Sequence, residues 1–314
     1  MVIVSIDETP DYEETARLAT KAFDSPGVVF DPEHMKWLYE ECFPGGTTVV
    51  QLTEKASGCK IGQLAMVHQT VWVNGTPEKA AQLVDLFLLK EWRNLERMRM
   101  LFDEVGRQFA KRGIRFAFGM PNVQAMPINE RFFKLKAFLS LDIKLGFALP
   151  FRSKSVHIHE AFHKHQAEHF ISIFNRFATE HSETGLRWDG ESLYDRLCGY
   201  KYKYAIHATD SLLLISSPRI SRGIPYTLAA AYLCAPGSTF EKKDMSAVTR
   251  AACAFWKRPI FIYAGFNRAI PTPPGIRLPE RYRPSPMLLQ MRDFVPERGK
   301  LDLDRFQLID FDFA

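Results

Sequence analysis

Residues 85 to 98 read Asp-Leu-Phe-Leu-Leu-Lys-Glu-Trp-Arg-Asn-Leu-Glu-Arg-Met, an apolar strand that runs through a basic turn straight into a helix. From Met98 onward, Leu101, Phe102, Val105, Phe109 and Ala110 recur at helical spacing until Gly113 closes the run, the pattern of a helix with one buried face and a glycine stop. A short aromatic strand, Arg115 to Gly119, follows and leads into Gly119-Met120-Pro121-Asn122. Strand, helix and strand at this spacing commit the chain to helices covering a sheet.

The residues before this unit supply the rest of a sheet. Residues 2–7 read as a strand, Asp11 to Phe23 as an amphipathic helix, and Asp31-Pro32-Glu33 as the capped start of a second helix that ends by Pro44-Gly45-Gly46. Thr47 to Leu52, Ile61 to Val73 and Ala81 to Leu89 are rich in β-formers, with Ser57-Gly58 and Asn74-Gly75 as turns between them, so an antiparallel meander is expected. Ile128 to Phe138 reads as a helix and Leu139 to Pro150 as a closing strand pair.

Past residue 152 a similar order begins again. Strands are expected at Val156 to Glu160, Tyr204 to His207, Leu212 to Ser216, Tyr226 to Cys234 and Ile260 to Phe266, and helices at Phe162 to His181, Asp189 to Leu197 and Asp244 to Trp256. A chain of 314 residues exceeds a single ordinary domain, and the repetition suggests two, residues 1–152 and 153–314. The fold class expected is α/β (α+β), each domain a mixed, mostly antiparallel sheet flanked by helices. The six prolines between Pro271 and Pro286 mark an extended segment, and Gln307 to Phe313 alternates like a closing strand that would present Asp310 and Asp312 together.

Composition narrows the function classes. A net charge of +5 without a block of Lys/Arg suits an anionic ligand or an acidic partner and is too weak to argue for nucleic acid. Cys42, Cys59, Cys198, Cys234 and Cys253 are scattered, with no C-x-x-C pair, and read as reduced thiols. No apolar run reaches the roughly 18 residues of a membrane span, and Met1 to Glu8 reads as a strand rather than a signal peptide, so a cytoplasmic protein is expected.

Trp37-Leu38-Tyr39 before Pro44-Gly45, the strand start Ile61-Gly62, Asp85 to Arg93 and Gly119-Met120-Pro121-Asn122 resemble the bacterial GNAT N-acetyltransferase superfamily. The branch most similar carries two fused GNAT domains and a G-F-P-N motif. Leu186-Arg187-Trp188-Asp189, Leu193-Tyr194-Asp195-Arg196 and the Asp310-Phe311-Asp312 ending resemble the second copy of such tandem proteins. The resemblance implies an N-acyltransferase in which the fourth and fifth strands splay apart and acetyl-CoA or a longer acyl-CoA lies between them. Its pantetheine would bond the fourth-strand main chain, and its pyrophosphate would rest on the amides that open the third helix.

Carried over residue by residue, the donor would meet Phe87, Leu88, Leu89, Arg93, Asn94, Leu95, Arg97 and Met98. The family's R-x-x-G-x-G/A loop falls on Arg93, Glu96 and Met98, of which the arginine alone matches; glycines there let phosphate approach the main chain. Lys90, Arg93, Arg97 and Arg99 offer side-chain contacts to phosphate instead, or form a solvated basic helix start. Two further readings follow: a donor carried on acyl carrier protein, docked on this basic face, and a GNAT-fold binding or assembly protein without catalysis. The acceptor expected is a small-molecule amine.

For the chemistry, Asp85 stands in an otherwise apolar strand and suits a general base; a strand-end carboxylate satisfied by main-chain donors is the plain alternative. Asn122 either bonds the acyl donor or forms the turn after Pro121. Helix four offers Asn129, Phe132 and Phe133 where the family often keeps a tyrosine. His159-Glu160-Ala161-Phe162-His163 matches H-E-x-x-H, a zinc hydrolase pattern. That motif needs both histidines on one helical face, whereas Val156 to His159 alternates like a strand, so no metal is expected.

Overall fold

The structure is a computed structural model, and it describes residues 1–23, 29–149, 155–161, 166–177, 184–199, 202–221, 223–239, 241–283 and 287–311. The first elements are β1 (Val2–Asp7), α1 (Tyr12–Phe23), α2 (Pro32–Lys36), β2 (Thr47–Glu54), β3 (Lys60–Val73), β4 (Thr76–Leu88), α3 (Leu95–Arg112), β5 (Phe116–Gly119), α4 (Met126–Phe133), β6 (Lys136–Ser140) and β7 (Ile143–Phe147). Then come β8 (Ile158–Ala161), α5 (Ala167–Asn175), β9 (Gly185–Leu186), α6 (Gly190–Cys198), β10 (Ala205–Ala208), β11 (Leu212–Ser221), β12 (Ile224–Cys234), α7 (Lys242–Trp256), β13 (Ile260–Asn267), β14 (Ile276–Arg277), β15 (Leu288–Asp293) and β16 (Arg305–Gln307). Among the described residues no helix is long and apolar enough to cross a membrane.

Two compact units result. One comprises Met1–Val71, Pro77–Leu139 and Leu288–Lys300; the other comprises Trp72–Thr76, Ser140–Met287 and Leu301–Ala314. The units interleave along the sequence. In the first, the strand order is β1-β2-β3-β4-β5-β15-β6, with β4 and β5 parallel and β15 antiparallel to β5. In the second, the order is β14-β7-β13-β12-β11-β10-β8, with β12 and β13 parallel and β16 paired to β13.

Local chemistry explains most element ends. Asp31 accepts a hydrogen bond from Glu33 N at 3.0 Å and Pro32 opens α2; Asn94 caps α3 and Gly113, at φ 66°, ends it. Asn74 and Gly75, at φ 49° and 81°, form the left-handed hairpin turn that such a pair favours. The first core packs Leu18, Ala19 and Ala22 of α1 with Leu101, Phe102, Val105 and Phe109 of α3 over Leu52, Ile61, Ala81, Phe87 and Leu88 of the sheet.

Four expectations change. The helix expected over Ile128 to Phe138 runs from Met126 to Phe133, and Lys136 to Ser140 is the strand β6, because Lys134 in the left-handed region at φ 57° ends the helix. The closing strand pair of the first half is divided: β6 joins the first sheet, whereas β7 pairs β13 in the second. The helix expected over 162–181 is described as Ala167–Asn175, with 162–165 and 178–183 outside the described residues. The C-terminal strand is short: β16 stops at Gln307 because Gln307 and Asp310 form a reciprocal cap and turn the chain through Leu308–Asp310. Asp310 is buried, and Asp312 lies outside the described residues.

Candidate functional site

In the first unit, β4 and β5 pair at Ala80↔Phe116, Ala81↔Ala117 and Gln82↔Phe118, and there the ladder stops. β4 continues to Leu88, so its main chain from Leu83 onward has no partner strand on the β5 side among the described residues. Main-chain groups past the end of a ladder must find hydrogen bonds elsewhere than in a neighbouring strand, and the Leu88 carbonyl takes one from Arg93 Nε at 2.9 Å. On its other side, β4 lies so close to β3 that a β-carbon on Gly62 would come within 2.7 Å of the Phe87 carbonyl oxygen, which makes glycine necessary there.

Asp85 sits past the end of the β4–β5 ladder at φ 50°, a left-handed conformation that Asp tolerates better than most residues. Its Oδ2 accepts a hydrogen bond from the Tyr39 hydroxyl at 2.8 Å, and that hydroxyl in turn accepts one from Gln63 Nε2 at 2.8 Å. Tyr39 belongs to a single π turn, Trp37–Glu41, whose wide Cys42 N to Trp37 O bond of 2.8 Å continues α2; such turns often mark functional positions. Burial, reinforced by the Asp85 charge, pushes the Tyr39 phenol well above its ordinary value, so it stays a hydrogen-bond donor.

The remaining expected donor contacts fall into two groups. The side chains of Phe87 and Leu88 at the end of β4 and of Leu89 just past it are buried, and Met98 packs partly buried against the same core, so these residues can offer a ligand only their main chain, of which the Leu89 N–H already donates to Ile61 O at 2.9 Å. Arg93 donates Nε to the Leu88 carbonyl at 2.9 Å and a second nitrogen to the Ala22 carbonyl at the end of α1. Arg97 donates to the Trp92 carbonyl at 2.9 Å with its guanidinium 4.6 Å above the Trp92 ring, while its own N–H is taken by the Asn94 side chain at 2.8 Å. Leu95 is exposed at the helix start. The main chain of β4 thus fits a thioester arm, but the turn below it, with Arg93 spent on carbonyl groups and Glu96 in the first helical turn, does not fit a diphosphate clamp.

Asn122 shapes the turn that leads into α4. Its Oδ1 accepts from Gln124 N at 3.0 Å and Ala125 N at 2.9 Å, the turn-forming arrangement. His159 and Glu160 lie in β8, paired opposite His207 and Ile206 of β10, so the H-E-x-x-H pattern opens in a strand rather than in the helix it needs. His163 lies outside the described residues.

The second unit repeats the parting of parallel strands and then fills it. β12 and β13 pair only at Thr227↔Phe261, Leu228↔Ile262 and Ala229↔Tyr263. Beyond that point β16 pairs β13 at Gly265↔Gln307, Phe266↔Phe306 and Asn267↔Arg305. The Gln307 side chain completes the other edge: Oε1 accepts from Tyr232 N at 2.9 Å and the Tyr263 hydroxyl at 3.2 Å, and Nε2 donates to Tyr232 O at 3.0 Å. A β-carbon on Gly265 would stand 2.9 Å from Gln307 Cα, so glycine admits the segment. No alternation in the sequence announces Tyr39, Gln63 or Gln307 as site residues; the one signal is a glutamine inside each apolar run.

No protein-family model and no curated protein matches the chain. Solved structures do. A probable N-acyltransferase from Enterococcus faecalis V583 is similar over 93% of this chain and 73% of its own, with TM-score 0.61 and 13% identity. A GCN5-related N-acetyltransferase from Anabaena variabilis ATCC 29413 covers 93% and 73%, with TM-score 0.58 and 10% identity. Saccharomyces cerevisiae N-myristoyltransferase with bound myristoyl-CoA covers 92% and 82%, with TM-score 0.58 and 11% identity. At such identities the likeness is one of fold, and the fold of this chain is that of the GNAT N-acyltransferases, in two units.

Proposed function

We propose that the chain is an N-acyltransferase that takes an acyl group from a thioester lodged against β4 of the first unit and passes it to an amine. The observation that carries this reading is the contrast between the two partings: the second is filled by the chain's own β16, whereas in the first, among the described residues, no strand enters between β4 and β5 past Gln82 and Phe118. The amine nitrogen attacks the thioester carbonyl carbon. The C–N bond forms, the C–S bond breaks with its electron pair on sulfur, and the proton lost from nitrogen passes to Asp85 and on to the departing thiolate. Tyr39 fixes the carboxylate while this happens.

A second reading of the donor rests on Arg93 being bonded to the Leu88 and Ala22 carbonyls. A thioester delivered on acyl carrier protein supplies the same pantetheine arm and asks for no diphosphate clamp. Purified full chain incubated with acyl-CoAs of several lengths, acyl carrier protein thioesters and a panel of amines should release thiol in proportion to amide formed. Thiol release from carrier thioesters alone selects the second reading. Neither release nor binding with any donor overturns both and leaves a GNAT-fold binding protein.

A further inference from the structure

The first residues past the end of the β4–β5 ladder are Leu83 and Gly119. A β-carbon built on Gly119 would lie 3.4 Å from the Leu83 carbonyl oxygen and 3.9 Å from the side-chain nitrogen of Asn129. The missing side chain therefore leaves a small space at the point where the strands part, bordered by a carbonyl of β4 and an amide of α4.

Asn129 is only 7% exposed, and among the described residues no protein group hydrogen-bonds its side-chain amide. Its main chain is fully engaged, the N–H donating to Ala125 O at 3.0 Å and the carbonyl accepting from Leu135 N at 3.3 Å. The neighbouring strand holds this helix in place. Gln290 of β15, opposite Gly119 in register, donates Nε2 to Met126 O at 3.3 Å and to Glu130 Oε1 at 3.2 Å, both on α4. The Oε1 of Gln290 is itself buried without a hydrogen-bond partner. Beside one glycine there is thus a buried oxygen of Gln290 that is costly to leave unmade, and an Asn129 amide whose hydrogen-bonding capacity no described protein group uses.

We propose that Asn129 is the hydrogen-bond donor to the carbonyl oxygen of the acyl thioester where β4 and β5 part, with Gly119 providing the room. This rests on the acyltransferase reading above and adds a named contact to it. A carboxamide N–H is too weak an acid to return a proton to a thiolate, but it is a strong donor to an oxygen. That oxygen gains negative charge as the tetrahedral adduct forms, so a fixed donor aimed at it favours the transition state. Asp85 stands two residues beyond Leu83 on the same strand.

The test compares two pantetheine thioethers of equal length, an S-(2-oxoalkyl) compound that carries a carbonyl and an S-alkyl compound that lacks one, by calorimetric binding to wild type, Asn129→Ala and Asn129→Asp. Wild type should favour the carbonyl compound about tenfold, the worth of one hydrogen bond, and both variants should bind the two compounds alike. Asn129→Asp keeps the side chain's shape, so an unfolded alanine variant leaves the test intact. Variants that retain the wild-type preference overturn the proposal while leaving the acyltransferase reading in place. Binding of neither compound by folded wild type overturns that reading, and the proposal falls with it.

Discussion

Tyr39 donates its hydroxyl to Asp85 at 2.8 Å across 46 residues of sequence. The same oxygen accepts from Gln63 at 2.8 Å, so one phenol ties the π turn, β3 and β4 together past the end of the β4–β5 ladder. Tyr39→Phe removes the donor and little volume. A hydrogen bond to a carboxylate favours its charged form, so the acid limb of the kcat/KM profile should move to higher pH and kcat should fall about tenfold. An unchanged profile would separate Tyr39 from the chemistry.

Asp85 combines a charge with a left-handed main chain, and substitutions can divide the two. Asn tolerates the conformation, so Asp85→Asn should keep its unfolding midpoint while kcat drops by at least about a hundredfold, the contribution of a general base. Asp85→Val should lose activity and also about 1–2 kcal/mol of stability, because a β-branched residue resists that φ. Steady-state kinetics with denaturant unfolding on the same samples reads both.

Gln307→Ala leaves the Tyr232 N–H and the Tyr263 hydroxyl without their shared acceptor, while the Tyr232 carbonyl keeps Asn267 Nδ2 at 3.3 Å. About 3 kcal/mol of stability should be lost, since each buried group left unmade costs about 1–3 kcal/mol and part of the cost is relaxed away. Turnover per folded molecule should hold, because the proposed donor site belongs to the first unit. Urea unfolding and specific activity together check it.

His68 of β3 holds Thr48 Oγ1 at 2.8 Å, and burial, with Arg112 nearby, pushes its imidazole down to about 4. A folded-state value below the unfolded one means that the unfolded chain binds the extra proton first. The stability this group contributes is therefore present above pH 6.5 or so and is lost as pH falls toward 4, by about 1–2 kcal/mol once solvent screening of this half-buried ring is allowed for. His68→Gln should flatten that part of the stability curve, measured by urea unfolding at stepped pH values.

What the sequence discloses follows how far apart the interacting residues lie. The α3 helix, its Asn94 cap and Gly113 stop, and the Asn74-Gly75 turn are written within a few residues of themselves, and their periodicity and φ preferences suffice. Asp85 is visible as a charge in an apolar strand. Its partner is not, because nothing local to Tyr39 or Gln63 encodes a contact made through sheet pairing. Gln307 looks like one more alternating residue until β16 is seen beside β13, and the main-chain bonds of Arg93 and Asn122 are visible only once the fold is known.

The insertion of β15 between β5 and β6 also sets a timetable. Gln290 pairs with Gly119, and the Arg115 guanidinium, 4% exposed, meets Glu78 at 2.8 Å and Asp293 at 3.2 Å. A ribosome that has released only the first half of this chain has therefore delivered a sheet with a vacant place and a buried arginine lacking one of its two counter-charges. Closure of loops this long is slow, so the amino-terminal segment waits for residues near 300 to emerge before its own sheet can close. Fragments cut between the two halves should emerge as aggregation-prone intermediates with an open strand edge.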